Sequence, residues 1–227
     1  MCLKIRFNAE KCCLWGCFSV ITLVVVLIVG IISLIYFAHR PYHKYLDAMK
    51  SGDGKSAVYY ATKCFHKKEK YHKQLKEKYG YSSSNIEWYL NLSYAYELNG
   101  EYDVALERYH TIVQQGQESD HNIARVLYRM GRYSESFEMY CECCKEKAET
   151  AEPNDFYAQN HLYREIMCHN IVEDSRKFRP YPTFHDFYVF MKAEYEKRGK
   201  PQKYVKVMEL FRRVDSYTES FMAHHHE

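Results

Sequence analysis

The chain has 227 residues and a formal charge of +3, so it is nearly balanced and nothing in its overall charge calls for nucleic acid. That length suits one domain with an appendage. Tyrosine is the outlier, with 23 copies against 9 glycines and 5 prolines. Low-complexity tracts and the long apolar alternation of sheet proteins are both missing, which points to an all-α chain whose rings fill the contacts between helices.

Residues 1–11 form a polar N-terminal tail. From Cys12 to Ala38 there are 27 residues without a charge, passing through Val24-Val25-Val26-Leu27-Ile28-Val29. About 20 suffice to cross the hydrocarbon core, so a single transmembrane anchor is expected over 12–40. A cleavable signal peptide competes, but its apolar core would be about 7 to 15 residues and end at a small-residue cleavage site. Here the run ends in Tyr36-Phe37-Ala38-His39-Arg40-Pro41, where Tyr36 and Arg40 suit an interfacial belt, as Trp15 does at the other end.

The flanking charges nearly tie: Lys4, Arg6 and Lys11 precede the stretch, and Arg40, Lys44 and Lys50 follow it. Cysteine usage breaks the tie. Five of nine cysteines (Cys64, Cys141, Cys143, Cys144 and Cys168) lie beyond the span, an odd number with two adjacent, which fits a reduced compartment and hence a cytosol-facing domain. The sequence Asn91-Leu92-Ser93 matches a glycosylation acceptor but falls inside a helical pattern. Cys2, Cys12, Cys13 and Cys17 would suit acylation only if the other end were cytosolic; otherwise they are small apolar residues of the span.

Residues 41–83 read as juxtamembrane helices. Pro41 limits how far the first helix runs unkinked, His43 to Lys50 is helical, Ser51-Gly52-Asp53-Gly54 is a turn, and a helix resumes at Lys55. Lys63 to Lys78 is dense in lysine, either an ordinary solvated face or one attracted to anionic lipid headgroups.

Residues 84–148 carry one pattern twice. Ser84-x-x-Glu87 reads as a capping box. Trp88, Tyr89, Leu92-Ser93 and Tyr96 follow, then Gly100, Tyr102, Ala105 and Tyr109. The pattern returns as Ile123-Ala124, Leu127, Gly131, Tyr133, Ser136 and Tyr140, with 31 residues from glycine to glycine. Small residues at Ser93 and Ala105 let two antiparallel backbones approach, tyrosines fill the flanks, and Gly100 supplies a left-handed turn. These residues resemble two tetratricopeptide (TPR) repeats, whose period is roughly 34; the family's late proline is absent from both copies. Gly52-x4-Ala57 repeats the spacing of Gly100-x4-Ala105, so a degenerate hairpin can precede the pair.

Residues 149–227 begin with a polar connection, Glu149 to Asn154, followed by a helix from Asp155 to Val172 and a loop holding Pro180 and Pro182. Thr183 is a fair cap for a last hairpin, Phe184 to Arg198, Gly199, then Gln202 to Val214. Tyr188, Met191 and Tyr195 fit the TPR pattern there, whereas Lys192 and Pro201 break it, as in a divergent or capping repeat. Tyr195, Arg198-Gly199-Lys200 and Glu209-Leu210-Phe211 also resemble pentatricopeptide repeats, although one copy does not support RNA binding.

Cys141 and Cys144 share a helix face and could bind zinc with His110 or His169, but ligand spacing is lacking and buried thiols fit better. His224-His225-His226 reads as an inert tail. No phosphate loop, dinucleotide turn or nucleophile elbow occurs, so neither catalysis, a cofactor nor a metal is expected. The resemblance implies that the first helix of each hairpin lines a groove. There it places Asn91, Tyr94, Asn122, Arg125 and Arg129, side chains suited to a protein partner's acidic or C-terminal segment. Leu90 and Tyr94 stand where the family's chaperone-tail readers differ, which argues against that partner. The expected whole is a membrane-tethered adaptor or scaffold. A structural subunit of a larger membrane complex is the alternative, since tyrosine is enriched at interfaces.

Overall fold

The computed structural model describes residues 9–79, 86–117, 119–150, 152, 155–167 and 181–224, and no strand occurs among them. The chain divides into two compact units, Met1–His43 and Lys44–Glu227. Ser84 of the expected capping box, Cys168, His169, Val172, Pro180 and the terminal His225 and His226 lie outside the described residues.

Helix α1 runs Ala9–Ser51. Its side chains from Leu23 to Phe37 are exposed wherever they are described, Leu34 at 72% and Leu23 at 64%, so this apolar stretch shows hydrocarbon on every face. A bend of 46° separates Thr22–Phe37 from His39–Ser51. Pro41 accounts for it: proline has no N–H to offer the Phe37 carbonyl, and its ring clashes with that carbonyl. Among the described residues no single helix is long and apolar enough to cross a membrane, although these two segments pass such a test together.

The second unit is a run of helical hairpins built on one kind of corner. The last turns of α1 meet α2 (Gly54–Tyr79), α3 (Ile86–Leu98) meets α4 (Tyr102–Gln114), α5 (Asp120–Arg129) meets α6 (Tyr133–Cys143), and α9 (Phe184–Lys197) meets α10 (Val205–His224). At each corner a glycine takes a positive φ: Gly52 at 75°, Gly100 at 80°, Gly131 at 75° and Gly199 at 74°. The next residue's N–H then reaches back five positions: Asp53 to Ala48 O at 2.9 Å, Glu101 to Tyr96 O at 2.9 Å, Arg132 to Leu127 O at 2.9 Å and Lys200 to Tyr195 O at 3.0 Å. This is the Schellman closure, in which a left-handed residue lets the chain satisfy its last helical carbonyls and reverse. Gly52 thus makes the same corner as Gly100 and Gly131.

Five residues past each corner a side chain is buried where the second helix meets the first. It is Ala57, Ala105 and Ser136 in three hairpins, all fully buried, and Tyr204 in the last. The small residues permit close approach, and Ser136 also donates from Oγ to the Ala124 carbonyl at 2.7 Å. Gly54 serves a separate need, since a Cβ there would meet the Asn99 Cα at 2.5 Å.

Successive helices from α2 to α6 pack in order, after which α9 follows α6 directly. The short α7 (Lys145–Thr150) and α8 (Phe156–Met167) pack on α10 instead. Lys147 Nζ holds Glu165 Oε1 at 2.6 Å, tying α7 to α8. The sequence pattern gave no sign of α7, a polar stretch in which only Ala148 is buried. Thr183 caps α9 in a full capping box, its Oγ1 accepting from the Asp186 N–H at 3.1 Å while its own N–H donates to Asp186 Oδ2 at 2.9 Å. The largest hydrophobic core lies in this half, where Phe137, Tyr140, Tyr181, Phe187 and Phe211 are buried together. Their rings meet edge-on, Tyr140 against Phe187 at 5.0 Å and Phe187 against Phe211 at 5.1 Å.

Candidate functional site

Asn91, Tyr94 and Glu97 recur every three residues on α3, so they share one face; Asn122, Arg125 and Arg129, three and then four apart, share one on α5. The two faces are turned toward each other. Arg125 grips Glu97 with both arms of its guanidinium, Nε to Oε1 at 2.7 Å and Nη2 to Oε2 at 2.7 Å. Both side chains are essentially out of solvent, at 1% and 0% exposure. The third arm, Nη1, donates to Asn122 Oδ1 at 2.8 Å, and Asn122 Nδ2 in turn donates to Ser119 Oγ at 2.9 Å.

From α4, Tyr109 adds its hydroxyl to Glu97 Oε2 at 3.1 Å. Arg129 approaches Glu97 Oε1 at 3.2 Å from the edge of the cluster. Arg125 also lies 5.6 Å from the centre of the Tyr94 ring. Further along α3, Tyr45 of α1 donates its hydroxyl to the Asn91 carbonyl at 3.2 Å.

All five residues expected to line a binding groove are therefore placed, and four of them are interior. Asn91, Tyr94, Asn122 and Arg125 are buried, while Arg129 keeps slight exposure at the rim. The physical reason is Glu97, an acid on the same face of α3 whose charge a neighbouring guanidinium had to meet once both were buried. Sequence reasoning passed over it. The available signal was its place three residues after Tyr94, in register with Asn91 and opposite the basic face of α5.

The electrostatics follow from that burial. Desolvation opposes the charged form of Arg125, but the Glu97 carboxylate more than offsets this and holds the guanidinium above its ordinary pKa. Burial first, then the same carboxylate, pushes Tyr109 well above the usual phenol range, so it stays a donor. One carboxylate receiving two arms of one arginine, a second arginine and a phenol is a cross-brace among three helices.

Two clefts border this brace. One, of about 230 Å³, is lined by Asp120, His121, Cys143, Cys144, Lys147 and Glu165 among others. Burial, with Arg125 and Lys147 nearby, lowers His121 to about 3, so its ring is neutral at physiological pH. Cys143 and Cys144 lie 3.7 Å apart at sulfur, and the Cys143 thiol is pushed up by its contact with Cys144 and by burial. Burial also raises Cys141. The Cys141 and Cys143 thiols therefore resist ionisation, which is the opposite of what a nucleophile or metal ligand needs. Among the described residues no three His, Cys, Asp or Glu side chains gather into a possible metal site.

The second cleft, about 350 Å³, lies between α4 and α6 on Leu106, Ile123, Leu127 and Met139, rimmed by Glu135, Glu138 and Glu142. Those acids are already engaged. Arg132 Nε donates to Glu135 at 2.7 Å, Arg198 Nη1 donates to Glu138 at 2.5 Å, and the Tyr204 hydroxyl donates to Glu142 at 3.0 Å. Arg198 also lies 4.8 Å from the Phe137 ring centre, so it locks the α9 corner onto α6.

No family model and no curated protein matches the chain. Two similar solved structures are of a Podosopora anserina chain assigned as a kinesin light chain, with nearly identical TPR-like repeats, and of a variant of it. The first is 15% identical over 79% of this chain and 95% of that one, and the variant 16% over 80% and 96%, both at a TM-score of 0.39. A likeness at that level does not fix a fold. The helical-hairpin architecture rests on the four glycine corners and the packing between them.

Proposed function

We propose that this chain is a non-catalytic, membrane-tethered adaptor of TPR type, whose hairpin stack holds a protein partner on the cytosolic side of the bilayer. The observation that carries the tether is the side-chain exposure from Thr22 to Phe37. A helix that exposes apolar side chains on every side is matched by hydrocarbon as its solvent. The bend near Pro41 is compatible with a span, because proline kinks are common in membrane helices.

The adaptor reading is supported by how the polar residues are used. Glu97 and Arg125 are consumed in bracing helices, and the Cys143 thiol beside His121 is held against ionisation, so the unit reads as a rigid scaffold. Partner contact then falls to exposed faces and to the rim at Arg129, and the guanidinium that would meet an acidic peptide is already satisfied by Glu97. Buried rings such as Tyr109, Tyr140, Tyr181 and Tyr204 are used for packing within the stack, which weakens the reason to prefer a subunit of a larger complex.

Protease protection of the intact membrane form tests this. External protease added to vesicles with the cytosolic face outward should remove the hairpin unit and leave a short protected fragment containing residues 22–37. Full protection of the hairpin unit would overturn the cytosolic placement, and absence of the chain from the membrane fraction would overturn the tether.

A further inference from the structure

Helix α2 concentrates charge that the rest of the chain lacks. It holds eight lysines against two glutamates, a net of +6, whereas the whole chain carries +3. The arrangement is one-sided. Gly54, Ala57, Ala61, Cys64 and Phe65 are buried against the stack, while Lys55, Tyr59, Lys63, His66, Lys70 and Lys73 recur three or four residues apart on the outer face and are all exposed. Tyr59 stands in the middle of this face at 60% exposure, with Lys63 Nζ 6.0 Å from its ring centre. Around it runs a shallow depression lined by Lys55, Val58, Tyr59, Thr62, Lys63 and His66. Glu69 sits at the edge, 3.5 Å from His66.

We infer that this face of α2 is a docking surface for the anionic headgroup layer of a bilayer, an inference that rests on the tether reading and adds a second, electrostatic attachment to it. Charge complementarity chooses the occupant. A string of lysines is drawn to a negative leaflet by long-range attraction, without needing any one headgroup in a fixed place. The face contains no arginine, the side chain that grips phosphodiesters with two-pronged geometry, which sets nucleic acid behind lipid. An exposed tyrosine among the lysines is the amphipathic ring that settles at headgroup level. A basic face on the first full helix of the hairpin unit would add a second attachment to the apolar one.

Full-length chain in nanodiscs of neutral phosphatidylcholine, or of the same lipid with about a third phosphatidylserine, provides the test, read by hydrogen exchange of residues 54–79. Exchange should slow at least about tenfold in the anionic discs and recover as salt shortens the screening length. The charge-reversed variant Lys55→Glu, Lys63→Glu, Lys70→Glu, Lys73→Glu should lose the slowing while α3 to α6 exchange as before, which shows that it is folded. Equal exchange in both kinds of disc overturns the inference. So does protection by a short RNA duplex at physiological salt without protection by lipid. If the chain enters no disc, the tether has failed separately. Flotation with anionic vesicles that charge reversal abolishes then still upholds the face, and no flotation overturns it.

Discussion

Replacing Glu97 with alanine removes the acceptor at the centre of the brace and leaves Arg125 charged and buried. Two short hydrogen bonds from Arg125 are lost, together with that from Tyr109 and the approach of Arg129. Breaking a buried pair on one side costs about 3–5 kcal/mol, because the surviving ion keeps its desolvation penalty without its partner. For a unit of this size each kcal/mol shifts the melting midpoint by about 2–4 °C, so a loss of about 6–20 °C is expected. Full-length chain in mild detergent can be unfolded in urea and followed through Trp88, which lies on α3, the helix that carries Glu97. Arg125→Met should cost a similar amount, since it strands Glu97. The double variant Glu97→Leu, Arg125→Met should recover to within about 1–2 kcal/mol of the native chain, because two apolar side chains of similar size desolvate cheaply. A Glu97→Ala chain within about 1 kcal/mol of native, or additive losses in the double variant, would refute a brace that acts as one unit.

Three other outcomes follow from particular residues. Gly131→Ala should cost about 1–2 kcal/mol, all of it backbone strain, since a Cβ there meets nothing within 4 Å while φ is 75°. Gly54→Ala should cost more at an unstrained φ because its Cβ runs into the Asn99 backbone, and urea midpoints of the pair separate the two mechanisms. His121 is held at about 3 in the fold against 6.5 when unfolded, so only the unfolded chain takes up its proton between those values. Stability present above about pH 6.5 should therefore fall as pH drops toward 3, and His121→Gln should flatten that slope. Cys141 and Cys144 are buried, and burial raises the Cys141 thiol, so alkylation followed by peptide mass spectrometry should mark both only after urea unfolding. Prompt labelling of the native chain would show that this core opens.

The corners were legible in the sequence and the brace was not. Gly100 and Gly131 could be read as turns because a positive φ admits little else, and the same reasoning reaches Gly52, whose Ala57 five residues on is buried as Ala105 is. Small residues at Ala105 and Ser136 could be placed at helix contacts because period fixes which face they occupy. Period says nothing about what stands opposite a face. Asn91, Tyr94, Asn122 and Arg125 were assigned to a groove by repeat position, which does not reveal that these four are buried or that Arg125 is paired with Glu97. Helix α7 was missed for a related reason: a six-residue polar helix is held by Ala148 and by Lys147 against Glu165, contacts that need the later helices α8 and α10 in place.

The most direct measurement on the central claim is alkaline extraction of membranes from cells making the full-length chain. Carbonate at high pH strips peripheral proteins and leaves those held by hydrocarbon. The account predicts that the chain stays with the lipid, and that replacing Val25, Leu27, Ile31 and Leu34 with lysine, four exposed positions on α1, releases it with the hairpin unit still folded. A native chain found in the wash would contradict the tether and leave the hairpin stack to act without one.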